Sequence, residues 1–187
     1  VCTPARASIL TGLYPHTAGP IVNRISLPPD VPCIAEMVSP DYLCGYYGKW
    51  HLGNDSAPQH GFTEWVGTED NKRETNLAPD MPMTPYYHHL LENGFEPEGV
   101  GPDGSRMFGP DQRARMPEEF QMASYLGDRA AEFIEANSDR PFVLYVSTYE
   151  PHPPYDGPLN DLYDPADLPV GPAFIDPPPV VMPRIIS

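Results

Sequence analysis

Between Glu119 and Asn137 apolar residues return at every third or fourth position. Phe120, Ala123, Leu126, Ala130, Phe133 and Ile134 form one stripe, and Asp128, Arg129, Glu132 and Glu135 face away from it. That period predicts an amphipathic α-helix. Asn137 and Pro141 end it, and Pro141-Phe-Val-Leu-Tyr-Val-Ser147 follows as a continuous apolar run rich in β-branched and aromatic residues. A run without polar alternation is expected to be buried on both faces, as a strand of a parallel or mixed sheet under helices. Helix then buried strand is the unit of an α/β fold. In such sheets ligands sit beyond the carboxyl ends of the strands. Here that end is Thr148-Tyr-Glu-Pro-His-Pro-Pro154, a loop stiffened by proline that carries His152.

Tyr42 to Tyr47 reads as a second, aromatic strand, running into Gly48-Lys-Trp-His-Leu-Gly53. Lys49 and His51 are separated by one residue, so in an extended segment both side chains point to one face. Gly48 and Gly53 bracket them and permit a close backbone approach. On their own these residues read equally as an exposed lysine and a satisfied histidine beside a packed Trp50. Pro32 to Val38 suits a short helix with Ile34, Met37 and Val38 on its apolar side, and Cys33 reads as a small buried hydrophobe.

The chain begins Val1-Cys-Thr-Pro-Ala-Arg-Ala-Ser-Ile-Leu-Thr-Gly12. Cys2 or Thr3 before Pro4 marks a helix start, because proline lacks an N–H that would have no partner in the first turn. Gly12 reads as the left-handed stop. The positive end of this helix, with its open backbone N–H groups, then lies beside Cys2 as a place for an anion, and Arg6 one turn on can aim back at it. Leu13 to Gly19 reads as loop, with His16 as a surface or capping histidine.

From Asn54 to about Glu119 the pattern is poor. Gly61-Phe-Thr-Glu-Trp65 could lead into a strand, and a long Pro- and Gly-rich stretch follows, including Gly99-Val-Gly-Pro-Asp-Gly104. A structureless stretch this long inside one domain signals a variable insertion or substrate loop. Its dense cluster, Tyr86-Tyr-His-His-Leu-Leu91, reads as a half-buried turn, and the adjacent His88 and His89 diverge too far to pair on a metal. Beyond Tyr155, proline and aspartate dominate through Pro177-Pro-Pro179, as a loop wrapping the surface.

Composition narrows the partners. A formal net charge of −15 argues against nucleic acid and anionic membrane surfaces, which reward clustered Lys and Arg. Any anionic substrate must therefore meet a local basic pocket. No apolar run is long enough for a membrane span. Three cysteines without a C-x-x-C pair favour neither a disulfide framework nor a zinc site. The chain lacks an initiator Met and opens inside a motif, so it reads as a fragment.

Three elements together resemble one family. Cys2-Thr-Pro-Ala-Arg6 with Thr11-Gly12 resembles the C-x-P-x-R signature of the type I sulfatases, whose cysteine is converted to formylglycine. Gly48-Lys-Trp-His-Leu-Gly53 resembles the second sulfatase signature, although Asp41-Tyr-Leu-Cys44 replaces its usual Gly and Thr upstream. The loop with His152 resembles a third element, and His16 resembles the histidine of the family's Leu-Tyr-Pro-His loop near the substrate mouth. All three come in the family's order.

The resemblance implies an alkaline-phosphatase-like α/β sandwich, of which residues 1–187 are a partial catalytic domain with a mixed, mostly parallel sheet, flanking helices and long loops. It implies hydrolysis of a sulfated small molecule or glycan. In that scheme Cys2, as the formylglycine hydrate, is nucleophile and metal ligand, Arg6 holds the hydrate, and Lys49 bridges nucleophile and sulfate. His152 protonates the leaving alcohol, and His51 takes the proton that lets sulfate depart. It further implies calcium, a formylglycine-generating enzyme as partner, and a periplasmic or secreted location. The family's Asp-Asp and Asp-Asn or Asp-His calcium ligands cannot be placed here, so the fragment is expected to bind calcium poorly and to be inactive alone. Two alternatives stay open: a phosphonate or phosphodiester hydrolase of the same superfamily, and a non-catalytic anion-binding module in which Cys2 stays a thiol.

Overall fold

The computed structural model describes residues 1–70, 82–101 and 104–171. The first elements are helices α1 (Cys2–Thr11), α2 (Pro15–Ala18) and α3 (Ile34–Met37), then strands β1 (Leu43–Gly48) and β2 (Glu64–Gly67). Next come α4 (Pro85–Glu92), the short strands β3 (Gly99–Val100) and β4 (Arg106–Met107), and α5 (Pro110–Ala114). A 3₁₀ turn at Glu118–Phe120 leads into α6 (Met122–Ala136), and β5 (Phe142–Ser147) follows.

The main sheet runs β2-β1-β5 with both pairings parallel. β3 and β4 form a separate antiparallel ribbon. Side chains of β1 alternate between the two faces, as the pleat requires. Cys44 and Tyr46 join Trp65, Val143 and Tyr145 on one face, against Ala7 and Leu10 of α1 and the buried Trp50 and Phe62. Leu43 and Tyr47 join Val66, Phe142 and Leu144 on the other, under Leu126 and Phe133 of α6 and Tyr86 and Leu90 of α4. Helices cover both faces, which makes this the expected α/β arrangement.

Register sets the position of everything functional. Gly48 pairs with Gly67 on one side and Ser147 on the other, so all three strands end level. Gly48 has φ +111°, and a Cβ there would lie 2.0 Å from the Ser147 carbonyl oxygen. At Gly67 a Cβ would meet the Asp55 carbonyl oxygen at 2.3 Å. Glycine at these two strand ends is therefore a condition of the packing.

Several local expectations shift. α6 buries Met122, Tyr125, Leu126 and Phe133, while Ala123 and Ile134 are exposed. Phe120 belongs to the preceding 3₁₀ turn, so counting the helical period from it sets the phase off by about one position. β5 is half-buried, because it is the outer strand of the sheet among the described residues. α3 turns Ile34 and Met37 to solvent and buries Cys33 and Ala35, with the Cys33 N–H donating to Glu36 Oε2 at 2.8 Å. Burial and the Glu36 charge push the Cys33 thiol up to about 12. Residues 13–19 hold the short α2, started by Pro15 at its N-terminus.

The 54–119 stretch is more ordered than its composition suggests. It contains β2, α4, the ribbon and α5, while residues 71–81 and 102–103 lie outside those described, as does Pro177–Pro179. The expected turn at Tyr86–Leu91 is helix α4. Thr84 caps it by accepting from the Tyr87 N–H, Pro85 fills the first turn, and Tyr86 and Leu90 make the buried stripe. The Asp70 carboxylate takes both the Thr84 N–H (2.6 Å) and its hydroxyl (2.9 Å). Among the described residues no helix is long and apolar enough to cross a membrane.

Candidate active site

Three residues leaving the level strand ends meet. Lys49, directly after β1, donates its N–H to the Ser147 carbonyl at 2.9 Å. Its side chain is 3% exposed, with Nζ 3.6 Å from Glu69 Oε1, which is 2% exposed and two residues past β2. The same Nζ lies 4.3 Å from the ring centre of Tyr149, two residues past β5. An ammonium this dry keeps its charge through a carboxylate and an aromatic face rather than through water. Such a cation is placed to neutralise an anionic oxygen with little solvent rearrangement.

α1 is anchored onto this edge from the other side. Arg6 Nη1 donates to the Lys49 carbonyl (2.6 Å), the Ser147 hydroxyl (2.6 Å) and the Tyr46 hydroxyl (3.3 Å). Arg6 thus binds its helix to the ends of β1 and β5, whereas the sequence reading aimed it at the helix start. The Thr3 N–H, one of the first-turn donors expected to stay open for an anion, donates to Asn23 Oδ1 at 3.0 Å. Thr3 Oγ1 donates to the His51 carbonyl at 3.0 Å, which sets Cys2 beside the Lys49–His51 segment.

That segment is not extended. His51 has φ +59°, and Asp55 Oδ1 accepts the N–H groups of both Trp50 (3.2 Å) and His51 (3.0 Å). The buried Asp55 carboxylate folds the chain back after Trp50, so the alternation that put Lys49 and His51 on one face does not apply. Trp50 is fully buried against Tyr46, Phe62 and Trp65.

His152 stands exposed in the loop after β5, its ring 4.6 Å from that of Tyr149 and its Nδ1 2.7 Å from the Pro153 carbonyl. Tyr149 is thereby a shared contact for Lys49 and His152. Burial pushes its hydroxyl above the ordinary tyrosine range, helped by the negative charges of Glu69 and, when ionised, Cys2, and opposed by Arg113. Cys2, half-buried and free of disulfides, is within electrostatic reach of that ring. Four sequence-derived residues, Cys2, Arg6, Lys49 and His152, therefore converge on one strand edge, with His51 joined to it through Thr3. His16 is exposed and stacks on Tyr14 at 5.6 Å, outside this group of contacts. Sequence reasoning missed Glu69, Tyr149 and Arg113. The signal for the first two was positional, since each lies just past a strand whose end is level with Gly48.

A calcium ion takes six to eight oxygen ligands. Among the described residues, the group of three side chains with ligand atoms within 4.8 Å of one another is Cys33, Glu36 and His60. It contains a thiol, caps α3, and does not include Cys2. Among the described residues no group of three His, Cys, Asp or Glu side chains gathers ligand atoms around Cys2, so these residues do not by themselves make the oxygen cage calcium needs.

A family model described as Sulfatase matches residues 1–167. The ulvan-active sulfatase of Formosa agariphila is 30% identical over 92% of this chain and 31% of its own length. The multifunctional alkaline phosphatase superfamily protein PehA of Trinickia caryophylli is 29% identical over 90% of this chain and 35% of its own. The chain spans about a third of the length of these relatives. The phosphonate monoester hydrolase SpPMH of Silicibacter pomeroyi shares the fold, with a TM-score of 0.63 at 23% identity over 90% of this chain and 36% of that one.

Proposed function

The chain belongs to the sulfatase family, and from that membership we propose that the protein carrying it hydrolyses sulfate monoesters of a small molecule or glycan. The observation that supports this best is the convergence of the α1 start, Lys49 and the Tyr149–His152 loop beyond the carboxyl ends of parallel strands. A sulfate ester resists attack because its anionic oxygens shield sulfur, and a buried ammonium answers that shielding directly.

In the proposed reaction a formylglycine-generating enzyme first converts Cys2 to formylglycine, with dioxygen as oxidant and the sulfur leaving as sulfide, and the hydrate of the aldehyde presents the nucleophile. One hydroxyl gives up its proton to solvent and its oxygen bonds to sulfur as the sulfur–oxygen bond to the alcohol breaks, and His152 delivers a proton to the departing alcohol. His51 then takes the proton of the second hydroxyl, the carbon–oxygen bond to sulfate breaks, and the aldehyde returns for rehydration. Lys49 neutralises the sulfate oxygens, and Arg6 holds α1, and hence Cys2, against the strand ends. Calcium, which the family implies, would need carboxylate ligands beyond those described around Cys2, and no step is assigned to it. A periplasmic or secreted location is part of the same proposal.

The relative described as a multifunctional alkaline phosphatase superfamily protein keeps a second reading open, in which the same groups act on a phosphonate or a phosphodiester. The full-length protein, isolated with its modifying enzyme, separates these readings when assayed on a sulfated glycan, an aryl sulfate and an aryl phosphonate monoester. The Cys2 peptide should be lighter by about 18 Da, the mass change from cysteine to formylglycine. Cys2→Ala should abolish turnover. An active preparation carrying the intact thiol refutes the proposed nucleophile. Faster phosphonate than sulfate hydrolysis selects the second reading, and an inactive, unmodified protein leaves an anion-binding module.

A further inference from the structure

Arg113, on α5, is the described cation whose burial the reaction above does not explain. Its side chain is 7% exposed. Nη1 donates to the Thr68 carbonyl at 3.2 Å, whereas Nη2 is buried with no hydrogen-bond partner. The Thr68 hydroxyl beside it is buried and likewise unmatched. No described carboxylate reaches ion-pair distance of Arg113. This is a chain of 26 acidic and 11 basic residues, so a partner would have been easy to supply. Buried guanidinium groups are otherwise paired, because desolvating the charge is costly and its fork suits two oxygens at once.

The surroundings point to the kind of group Arg113 is placed to bind. Arg113 lines a cavity of about 200 Å³ together with Tyr149, His152, Tyr155, Gln121 and Asn160. Its Cζ lies 5.5 Å from the centre of the Tyr149 ring, the same ring that receives Lys49 at 4.3 Å and His152 at 4.6 Å. The cavity therefore shares Tyr149 and His152 with the group of contacts around Lys49, and His152 is the histidine assigned to the departing alcohol. It is smaller than the roughly 300–1,000 Å³ that drug-sized ligands fill, so it admits one compact group. Gln121, Asn160 and Tyr155 add polar and aromatic edges suited to a hydroxylated ring. Glu150 also lines it, exposed, where solvent screens its charge.

We propose that Arg113 anchors an anion subsite in this cavity, and that the preferred substrates carry a second negative group, a carboxylate or a further sulfate, on the alcohol that leaves. The inference rests on the ester-hydrolase reading for its orientation and deepens it by naming the substrate class. Nη2 donates to the second anion while Nη1 keeps its hold on Thr68. A substrate bound there is fixed at both ends, by Lys49 at the ester and by Arg113 at the leaving group.

The test uses the full-length protein, 4-sulfooxybenzoate and its methyl ester, which differ by one charge at the leaving group. Arg113→Gln should raise KM for the carboxylate about tenfold with kcat nearly unchanged, and leave the methyl ester within about twofold, as expected for loss of one charge-assisted contact. Arg113→Lys should restore part of the difference. Calorimetric binding of 4-hydroxybenzoate and of methyl 4-hydroxybenzoate is measured in parallel, without turnover. If the wild type cleaves neither ester but binds the carboxylate more tightly in an Arg113-dependent way, the hydrolase reading fails and the subsite stands. Equal losses for both esters in both variants, with a lowered melting temperature, would show that Arg113 pairs with another part of the protein, and would overturn the proposal. Equal binding of the two phenols by the wild type overturns it as well.

Discussion

Replacing Gly48 with alanine would put a methyl group 2.0 Å from the Ser147 carbonyl oxygen. That oxygen cannot step aside easily, because it belongs to the paired β1–β5 register and accepts the Lys49 N–H at 2.9 Å. Relief requires more than an ångström of backbone movement, which breaks this hydrogen bond and leaves a buried amide unmatched. Forcing a side chain to φ +111° costs roughly 1–2 kcal/mol. The orphaned buried amide adds roughly 1–3 kcal/mol. The expected loss is therefore about 2–5 kcal/mol, reaching the upper end for a single substitution. Gly12→Ala is the control. It also sits at positive φ, +72°, but a Cβ there would meet nothing within 4 Å, so only the backbone strain remains, about 1 kcal/mol. Urea denaturation of the two variants of the full-length protein, followed by tryptophan fluorescence, reads the difference. Activity should follow, since Gly48→Ala displaces Lys49 and should lower kcat/KM by about a hundredfold, while Gly12→Ala stays within a few-fold. Equal destabilisation by the two variants would show that the strand ends are not locked as described.

Glu69→Gln removes the carboxylate from a nearly dry lysine and should cost about 3 kcal/mol, with loss of activity. The double change Lys49→Met with Glu69→Leu should regain most of that stability and remain inactive, and a neutral Glu69→Gln in urea titration would contradict the buried pair. For Cys33, the folded thiol at about 12 lies above its unfolded value of 9.0, so the neutral form is favoured in the fold. Its contribution to stability is therefore full below pH 9 and lost as pH rises from 9.0 toward 12. Iodoacetamide at pH 8 should label Cys33 only after denaturation, as peptide mapping would show, and labelling of the native protein would refute the burial.

Much of the candidate site was legible in one dimension because its parts sit on short, chemically distinctive segments. Cys2 and Arg6 share a helix with its own start and stop, and Lys49 and His152 each follow an apolar strand. Those readings depend on local period and turn chemistry, which the neighbouring residues carry. The failures share a cause. The sequence period places α6 out of phase because Phe120 lies in a separate turn, and α4 carries little sequence signal because its start, Thr84-Pro85, sits in a polar stretch of low periodicity. The spacing of Lys49 and His51 suits one face of a strand, but Asp55 takes two backbone N–H groups and turns the chain there.

What the residues alone determined is which side chains stand at the helix start and strand ends: a cysteine before a proline, a lysine between glycines, a histidine among prolines. Only the tertiary structure decided which groups share a site with them. Glu69, Tyr149 and Arg113 carry no motif and lie 20, 100 and 64 positions from Lys49 in the chain. Glu69 and Tyr149 meet it because three parallel strands end in register at Gly48, Gly67 and Ser147, and Arg113 reaches the same Tyr149 ring from α5. Register is a property of paired strands, and desolvation a property of the packed whole, so neither is written in any one segment.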